Sequence, residues 1–287
     1  MGELISGKDI SKQVLKKVRA GVDVLKSHGI TPGLGIIRIG SNPASEVYVR
    51  TKIKKAKKQG MNTRLYQLGG DATEAQVLEL VDKMNKDPEI HGFIVQLPLP
   101  KQVDEDKVLQ TVLPGKDVDG FHPCNLGLLT TGKERFVPAT ALGVMSLIDS
   151  TGIDVKGKHA VVVGRSNIVG KPTALLLLHR HATVTICHSR TTNLREQVAQ
   201  AEILVVSVGK ANVIPGEWVR PGAVVIDVGI NRTADGKLTG DVCFESAGKR
   251  AGFITPVPGG VGPMTVAHLM ENTVKAAAIQ SGIRLDG

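Results

Sequence analysis

A handful of residues in this sequence have the types and spacing that chemistry needs. Tyr48 and Lys52 stand four apart in a segment of helical periodicity, so they share a face, and Val49, Ile53 and Ala56 supply the neighbouring apolar stripe. Lys52 is a candidate catalytic amine. It is also one of six cations, with Arg50, Lys54, Lys55, Lys57 and Lys58, on what could be a solvated helix. Gln96 ends the apolar run Phe93-Ile94-Val95 and is followed by Pro98 and Pro100; at the C-terminal end of a strand in an open α/β sheet, a polar residue points toward the ligand crevice. Asp119, in Lys-Asp-Val-Asp-Gly, reads either as a ligand clamp or as an Asp-Gly turn. The run from Thr255 to Thr265, rich in Pro and Gly, is too restricted for a solvated linker and reads as a rigid loop around a ligand or as a sharp reversal.

The string Gly164-Arg-Ser-Asn-Ile-Val-Gly170-Lys-Pro follows a short apolar strand and opens a helix, where backbone N–H groups can meet a pyrophosphate. It departs from Gly-x-Gly-x-x-Gly, with Ser166 at the middle position and one extra residue before Gly170. It also departs from the P-loop, with Pro172 where a Ser or Thr would reach magnesium. A nucleotide site and a plain strand-to-helix turn both remain open on this string alone. Ser207-Val208-Gly209 ends a later strand on the same side. The strand before Cys187-His188-Ser189-Arg190 lacks the acid that would bind the ribose of NAD and leads into a cation, so with Arg165 it favours the 2′-phosphate of NADP.

These residues need two α/β units to position them. Strands over 33–39, 62–68 and 92–97 alternate with helices over 45–59 and 73–85, preceded by an amphipathic helix over 10–26; Thr73-Glu-Ala-Gln is a capping box. A second series runs through strands 159–163, 183–187, 203–208 and 223–228 with helices 171–180 and 194–201. A helix is also expected over 142–149. The boundary is expected near Pro138, with domains over 1–138 and 139–266. A last helix over 266–281 is free to return to either one.

Length and composition agree. The 287 residues are about twice one ordinary domain, and 41% apolar, 22% charged, 33 Gly and 14 Pro describe a turn-rich globular chain rather than a fibrous or disordered one. No apolar run is long enough for a membrane helix and no signal peptide opens the chain, so a cytoplasmic protein is expected, with no membrane partner. The three cysteines are scattered and no metal-ligand spacing occurs, so neither a disulfide framework nor a metal is expected. A net charge of +9 suits anionic ligands, while 3% aromatics argue against a base-stacking nucleic-acid binder. Met1-Gly2-x-x-x-Ser6 fits the myristoylation pattern, but Leu4-Ile5 looks like the start of a packed segment.

Six segments in order closely resemble the bifunctional methylenetetrahydrofolate dehydrogenase/methenyltetrahydrofolate cyclohydrolase family. They are Tyr48 to Lys52, Val95 to Pro100, Lys116 to Pro123, Gly164 to Pro172, Val225 to Asn231 and Pro256 to Thr265. The resemblance implies an N-terminal three-layer-like α/β folate domain, to which 267–287 returns, and a C-terminal Rossmann-type parallel-sheet domain that binds NADP, with the active-site cleft between them. It further implies a homodimer through the second domain. Tyr48 would stack on the folate, Lys52 would be the catalytic residue, Gln96 would tune it, and Asp119 would hold the pterin. Leu97, Pro98, Pro258, Gly259 and Gly262 would also meet substrate. The cofactor would be met by Gly164, Arg165, Ser166, Ile168, Val169, Gly170, Lys171, Ser189, Arg190, Ser207, Gly209, Ile230 and Thr265. The sequence departs from the family at Ala139 and Ala141, where Pro-Cys-Thr-Pro is usual, and at Ala56, where a cysteine is common.

The implied chemistry is hydride transfer from 5,10-methylenetetrahydrofolate, which needs chiefly alignment, followed by hydrolysis to 10-formyltetrahydrofolate, which needs proton transfer. A lysine with its pKa lowered by desolvation suits the second step. The substrates expected are tetrahydrofolate derivatives, whose polyglutamate tails the basic helix could attract, and nucleic acid is not expected. Alternatives are a monofunctional dehydrogenase of the same family, a shikimate-type NADP dehydrogenase, or a non-enzymatic binder of phosphate-rich ligands. Short-chain dehydrogenases share the Tyr-x-x-x-Lys pair, but there the glycines precede it, the reverse of the order here.

Overall fold

A computed structural model of the chain describes residues 1–285. In chain order the first half carries β1 (Glu3–Leu4), α1 (Gly7–Ser27), β2 (Gly33–Ile39), α2 (Pro43–Lys58), β3 (Asn62–Leu68), α3 (Glu74–Lys86), β4 (Gly92–Val95), α4 (Glu105–Thr111), α5 (Pro123–Thr130) and α6 (Ala139–Asp149). The second half carries β5 (His159–Val163), α7 (Gly170–His179), β6 (Thr183–Cys187), α8 (Leu194–Gln200), β7 (Ile203–Val206), a 3-10 turn (Gly216–Trp218), β8 (Val224–Asp227), β9 (Asn231–Arg232), β10 (Leu238–Thr239), α9 (Phe244–Gly248), β11 (Phe253–Ile254) and α10 (Val261–Ser281).

Two compact units result. One, here the first, comprises Gln13–Ala139 and the chain from Val266 on; the other comprises Met1–Lys12 and Thr140–Thr265. Residues 1–12, expected with the first domain, group with the second because β1 pairs in parallel with β11, and Gly2 N and Ile5 N donate to Gly248 O and Ile254 O. Ile5 is packed as expected, whereas Leu4 is exposed. The last two positions of the expected returning segment 267–287 lie outside the described residues.

The first unit is built on a parallel sheet of order β3-β2-β4. β2 is buried along its whole length and alternates its side chains: Leu34 and Ile36 enter one apolar cluster with Val49, Ala56 and Met270, while Ile37 and Ile39 enter another with Val77 and Val81. The capping box at Thr73 forms in full. The second unit has a six-stranded parallel sheet, β1-β11-β8-β7-β5-β6, and a separate β9–β10 hairpin. β1 and β11 were not anticipated, since two-residue strands carry no readable alternation.

α10 begins at Val261, five residues before the expected start, so Gly262, Pro263, Met264 and Thr265 form its first turn rather than a loop. Pro263 is tolerated because the first N–H groups of a helix have no intrahelical acceptor. Farther along, Asn272 Nδ2 donates to Val118 O at 2.9 Å and to Val137 O at 3.0 Å, all buried within the first unit. Asn272→Ala removes the donor from two carbonyls at once and should lower the unfolding free energy by about 2–4 kcal/mol. A urea titration followed by circular dichroism measures it; a loss below about 0.5 kcal/mol would mean that the carbonyls find another donor.

Candidate active site

Lys52, Gln96 and Asp119 are brought together by three pieces of the first unit. α2 starts at Pro43, two residues ahead of expectation, because Asn42 caps it: its Oδ1 accepts from Ser45 N at 3.2 Å and its backbone oxygen from Glu46 N at 3.0 Å. Of the six cations on this helix only Lys52 is buried, 9% exposed. The apolar stripe explains this, because Val49, Lys52, Ile53 and Ala56 follow the i, i+3, i+4, i+7 pattern and the lysine stem occupies a core-facing place. Tyr48, on the same helix, keeps 39% of its surface exposed.

Gln96 N donates to Ile37 O at 2.9 Å, which carries the β2–β4 ladder one residue past β4. Its side chain is held at both ends: Oε1 accepts from Lys52 Nζ at 3.0 Å, and Nε2 donates to Leu97 O at 2.9 Å. The expected strand to residue 97 thus stops at Val95, and Leu97 and Pro98 turn away beside Gln96.

Asp119 arrives on a segment that runs alongside β4, with Phe93 N donating to Lys116 O at 3.0 Å and an isolated parallel bridge between Phe93 and Asp117. Only a glycine at 92 admits it, since a Cβ there would stand 2.1 Å from Val118 Cγ1. The turn reading of Asp-Gly also applies: Gly120 has φ +76° and lies against the backbone of Val137 and Pro138. Asp117 organises this turn. Its carboxylate accepts from the backbone N of Gly120 (3.1 Å), Phe121 (3.1 Å) and His122 (2.8 Å) and from Asn125 Nδ2 (2.8 Å). Asp117 was not among the expected site residues, and its donors, three to eight residues on, follow no short turn motif.

The electrostatics couple the two charged members. Burial pushes the Lys52 ammonium pKa down, opposed by the negative charge of Asp119. Burial likewise pushes Asp119 up to about 6, with Lys52 pulling it back and Asp117 adding to the rise. Asp119 keeps part of its surface accessible, but its carboxyl is set among atoms that strip it of water. An amine whose pKa burial lowers, aimed by an amide and acted on by the charge of a nearby carboxylate, is suited to taking and giving a proton.

In the second unit the remaining expected residues follow the C-terminal ends of parallel strands. After β5, Gly164 has φ +137° and its Cα faces Ser207, where a Cβ would meet Oγ at 2.4 Å and the backbone oxygen at 2.5 Å. Gly170 packs as tightly against Gly164 O. Ser166 Oγ accepts from Val169 N and Gly170 N at 3.2 and 3.3 Å, so it closes the turn that leads into α7; Arg165 is exposed, and Ile168 is half-buried. Lys171 Nζ is engaged by Asn167 Oδ1 at 2.7 Å. Ser189 and Arg190 are exposed after β6, Gly209 after β7 and Ile230 after β8. Ser207 Oγ is buried without a hydrogen-bond partner. Pro258 and Gly259 follow β11, and Thr265 Oγ1 stands 3.1 Å from Thr140 Oγ1.

Comparison with known proteins adds an independent finding. Residues 5–119 match the model of the tetrahydrofolate dehydrogenase/cyclohydrolase catalytic domain, and residues 138–281 that of its NAD(P)-binding domain. A bifunctional protein FolD from Magnetococcus marinus is 53% identical over 278 residues, covering 96% of this chain and 98% of that protein. Among solved structures, the bifunctional FolD methylenetetrahydrofolate dehydrogenase/cyclohydrolase of Campylobacter jejuni superposes with a TM-score of 0.95 at 44% identity, covering 98% of this chain and 100% of that one. The methylenetetrahydrofolate dehydrogenase-cyclohydrolase of Trypanosoma brucei, complexed with NADP and an inhibitor, has a TM-score of 0.94 at 37% identity and covers 98% of each chain. With a buried lysine, its amide and carboxylate partners, and a glycine turn opening a parallel-sheet unit, this chain belongs to the tetrahydrofolate dehydrogenase/cyclohydrolase family.

Proposed function

We propose that this protein oxidises 5,10-methylenetetrahydrofolate with NADP and hydrolyses the 5,10-methenyltetrahydrofolate so formed to 10-formyltetrahydrofolate. One observation carries the reading: Lys52 is the single buried cation of its helix, with Nζ 3.0 Å from Gln96 Oε1. Burial favours the neutral amine, which takes a proton from the water attacking the methenyl carbon. A C–O bond forms there, the ammonium returns that proton to the folate nitrogen, and the bond from that nitrogen to the carbon breaks as the hydroxyl loses its remaining proton to solvent and becomes the formyl carbonyl. Gln96 keeps Nζ aimed in both protonation states, because an amide oxygen accepts from an amine as well as from an ammonium. Asp119 favours the protonated lysine and offers the pterin a hydrogen-bonding carboxyl, and Tyr48 presents a ring for stacking. Leu97, Pro98, Pro258, Gly259 and Gly262 complete the folate contacts. The intact Lys52, Gln96 and Asp119 favour the bifunctional reading over a dehydrogenase alone.

The residues of the glycine turn fit a dinucleotide, since Gly164 and Gly170 leave no room for a Cβ and Ser207 has an unspent hydroxyl. When bound, NADP supplies the hydride acceptor. Gly164, Ser166, Ile168, Val169, Gly170, Lys171, Ser207, Gly209, Ile230 and Thr265 would hold it, with Arg165, Ser189 and Arg190 at the 2′-phosphate. The T. brucei relative complexed with NADP supports that choice. The exposed cations of α2 suit the acidic tails of polyglutamylated folates. β6 is an edge strand with Ile186 exposed, and Leu178 on α7 is exposed as well, which supports a homodimer through this unit. Among the described residues no helix is long and apolar enough to cross a membrane, in keeping with a cytoplasmic enzyme.

Lys52→Met should lower cyclohydrolase activity by about 10²- to 10⁴-fold and dehydrogenase activity much less, while Lys55→Met changes neither. Hydrolysis of methenyltetrahydrofolate at saturation, followed by absorbance, reads the difference; equal behaviour of the two variants would defeat the mechanism.

The pH profile tests Asp119. Its charge raises the lysine pKa, so Asp119→Asn should move the limb of the cyclohydrolase profile that follows Lys52 to lower pH. A limb that stays in place would uncouple the pair.

Arg165→Ala should weaken NADP by about 10- to 100-fold and NAD little, by titration of each dinucleotide. Equal losses would remove Arg165 from the 2′-phosphate.

A further inference from the structure

The segment after β7 is held by a residue that none of the sequence motifs singled out. Asp241, with no accessible surface, sits at the start of the stretch that follows the β9–β10 hairpin. Its Oδ2 accepts from Val208 N at 2.7 Å and Gly209 N at 2.9 Å. Its Oδ1 accepts from Lys210 N at 2.9 Å and from Asn231 Nδ2 at 2.8 Å. A carboxylate offers about four acceptor directions, and these four donors use them.

The carboxylate is itself fixed in place. Asp241 N donates to Asp227 Oδ1 at 3.0 Å, Val242 N to Asp227 Oδ2 at 2.9 Å, and Ile214 N to Asp241 O at 3.1 Å. Glycines clear the space: a Cβ at Gly229 would stand 2.2 Å from Asp241 Oδ1, and one at Gly240 would stand 1.9 Å from Asp227 Oδ2.

The segment so held forms one wall of the glycine turn, because Ser207 is the residue against which Gly164 packs. Three successive N–H groups, which would otherwise form a nest for an anion, are spent on Asp241. The 207–210 segment therefore turns its donors inward and leaves Val208, 40% exposed, on its open side. That surface suits the uncharged part of a dinucleotide, and it leaves the phosphates to the glycine turn.

We propose that Asp241 is a positioning residue for the dehydrogenase, holding the Ser207–Lys210 segment beside the glycine turn in the conformation that accepts a dinucleotide. The proposal rests on the dinucleotide reading of that turn. It differs from the role given to Arg165, since a residue that shapes this wall touches no feature peculiar to NADP.

Asp241→Asn turns an acceptor into a donor that faces donors. It should raise the dissociation constants of NADP and NAD in parallel, by about 10- to 100-fold, while kcat and KM for hydrolysis of methenyltetrahydrofolate, which uses no dinucleotide, stay within about twofold of the parent. Asn231→Ala removes one of the four donors and should act in the same direction by about 3- to 10-fold. It decides the matter if Asp241→Asn does not yield folded protein. Unchanged dinucleotide affinity in Asn231→Ala and in whatever Asp241→Asn protein is obtained, or a cyclohydrolase loss in proportion to the dehydrogenase loss, would overturn the positioning role. If Arg165→Ala still weakens NADP in that case, the dinucleotide reading stands without it. If the parent protein takes up neither dinucleotide, that reading and this proposal fall together.

Discussion

The first unit is arranged around the cost of taking an ammonium out of water. A buried unpaired charge is paid for by neutralising or by finding partners, and Lys52 does some of each: its pKa is lowered by burial, and its Nζ rests on an amide oxygen with a carboxylate nearby. The amide permits one orientation only. Reversing Gln96 would set its oxygen against Leu97 O in either state of the lysine, and its NH₂ against Nζ whenever the lysine is protonated. The position of Gln96 depends in turn on the β2–β4 ladder, and that of Asp119 on the segment bridged to Phe93.

Buried aspartates shape the loops in both units. Loops that leave the C-terminal edge of a parallel sheet have no regular acceptors for their N–H groups, yet these loops must hold a defined form. Asp117 collects three backbone N–H groups in the first unit; Asp241 collects three in the second, and Asp227 three more. In each case glycines give the backbone the close approach that the carboxylate needs, at Gly120 through a positive φ and at Gly229 and Gly240 through the missing Cβ.

Legibility in the sequence followed the range of the determining interaction. β2, β3, β5 and β6 have the bounds that their apolar runs and flanking breakers indicate, and the capping box marks the start of α3. β1 and β11 exist only because they pair with each other and with β8, which no local pattern reveals. Lys52 lies between these extremes. Counted as a charge it is one of six; counted by position it fills the i+3 place in the stripe begun by Val49, so its burial was written in the spacing. Its partner Gln96, forty-four residues on, was readable locally only as a polar strand end, and it was the family resemblance that tied it to that amine. Asp241 had no such signal, because its donors are separated from it by a hairpin and by β8.

The two reactions ask for different things, and the chain supplies them from different places. Proton transfer needs a group that can both take and give a proton, the part proposed for Lys52 on α2, whose pKa burial lowers and the charge of Asp119 raises. Hydride transfer needs only that two carbons be held in line, and the residues proposed to hold the dinucleotide all belong to strand ends, loops and helix starts of the second unit. A defect in the wall of the glycine turn and a defect in the lysine network therefore enter different rate constants. Each activity is the other's internal control for folding, and a variant that loses both in equal measure has lost something other than its chemistry.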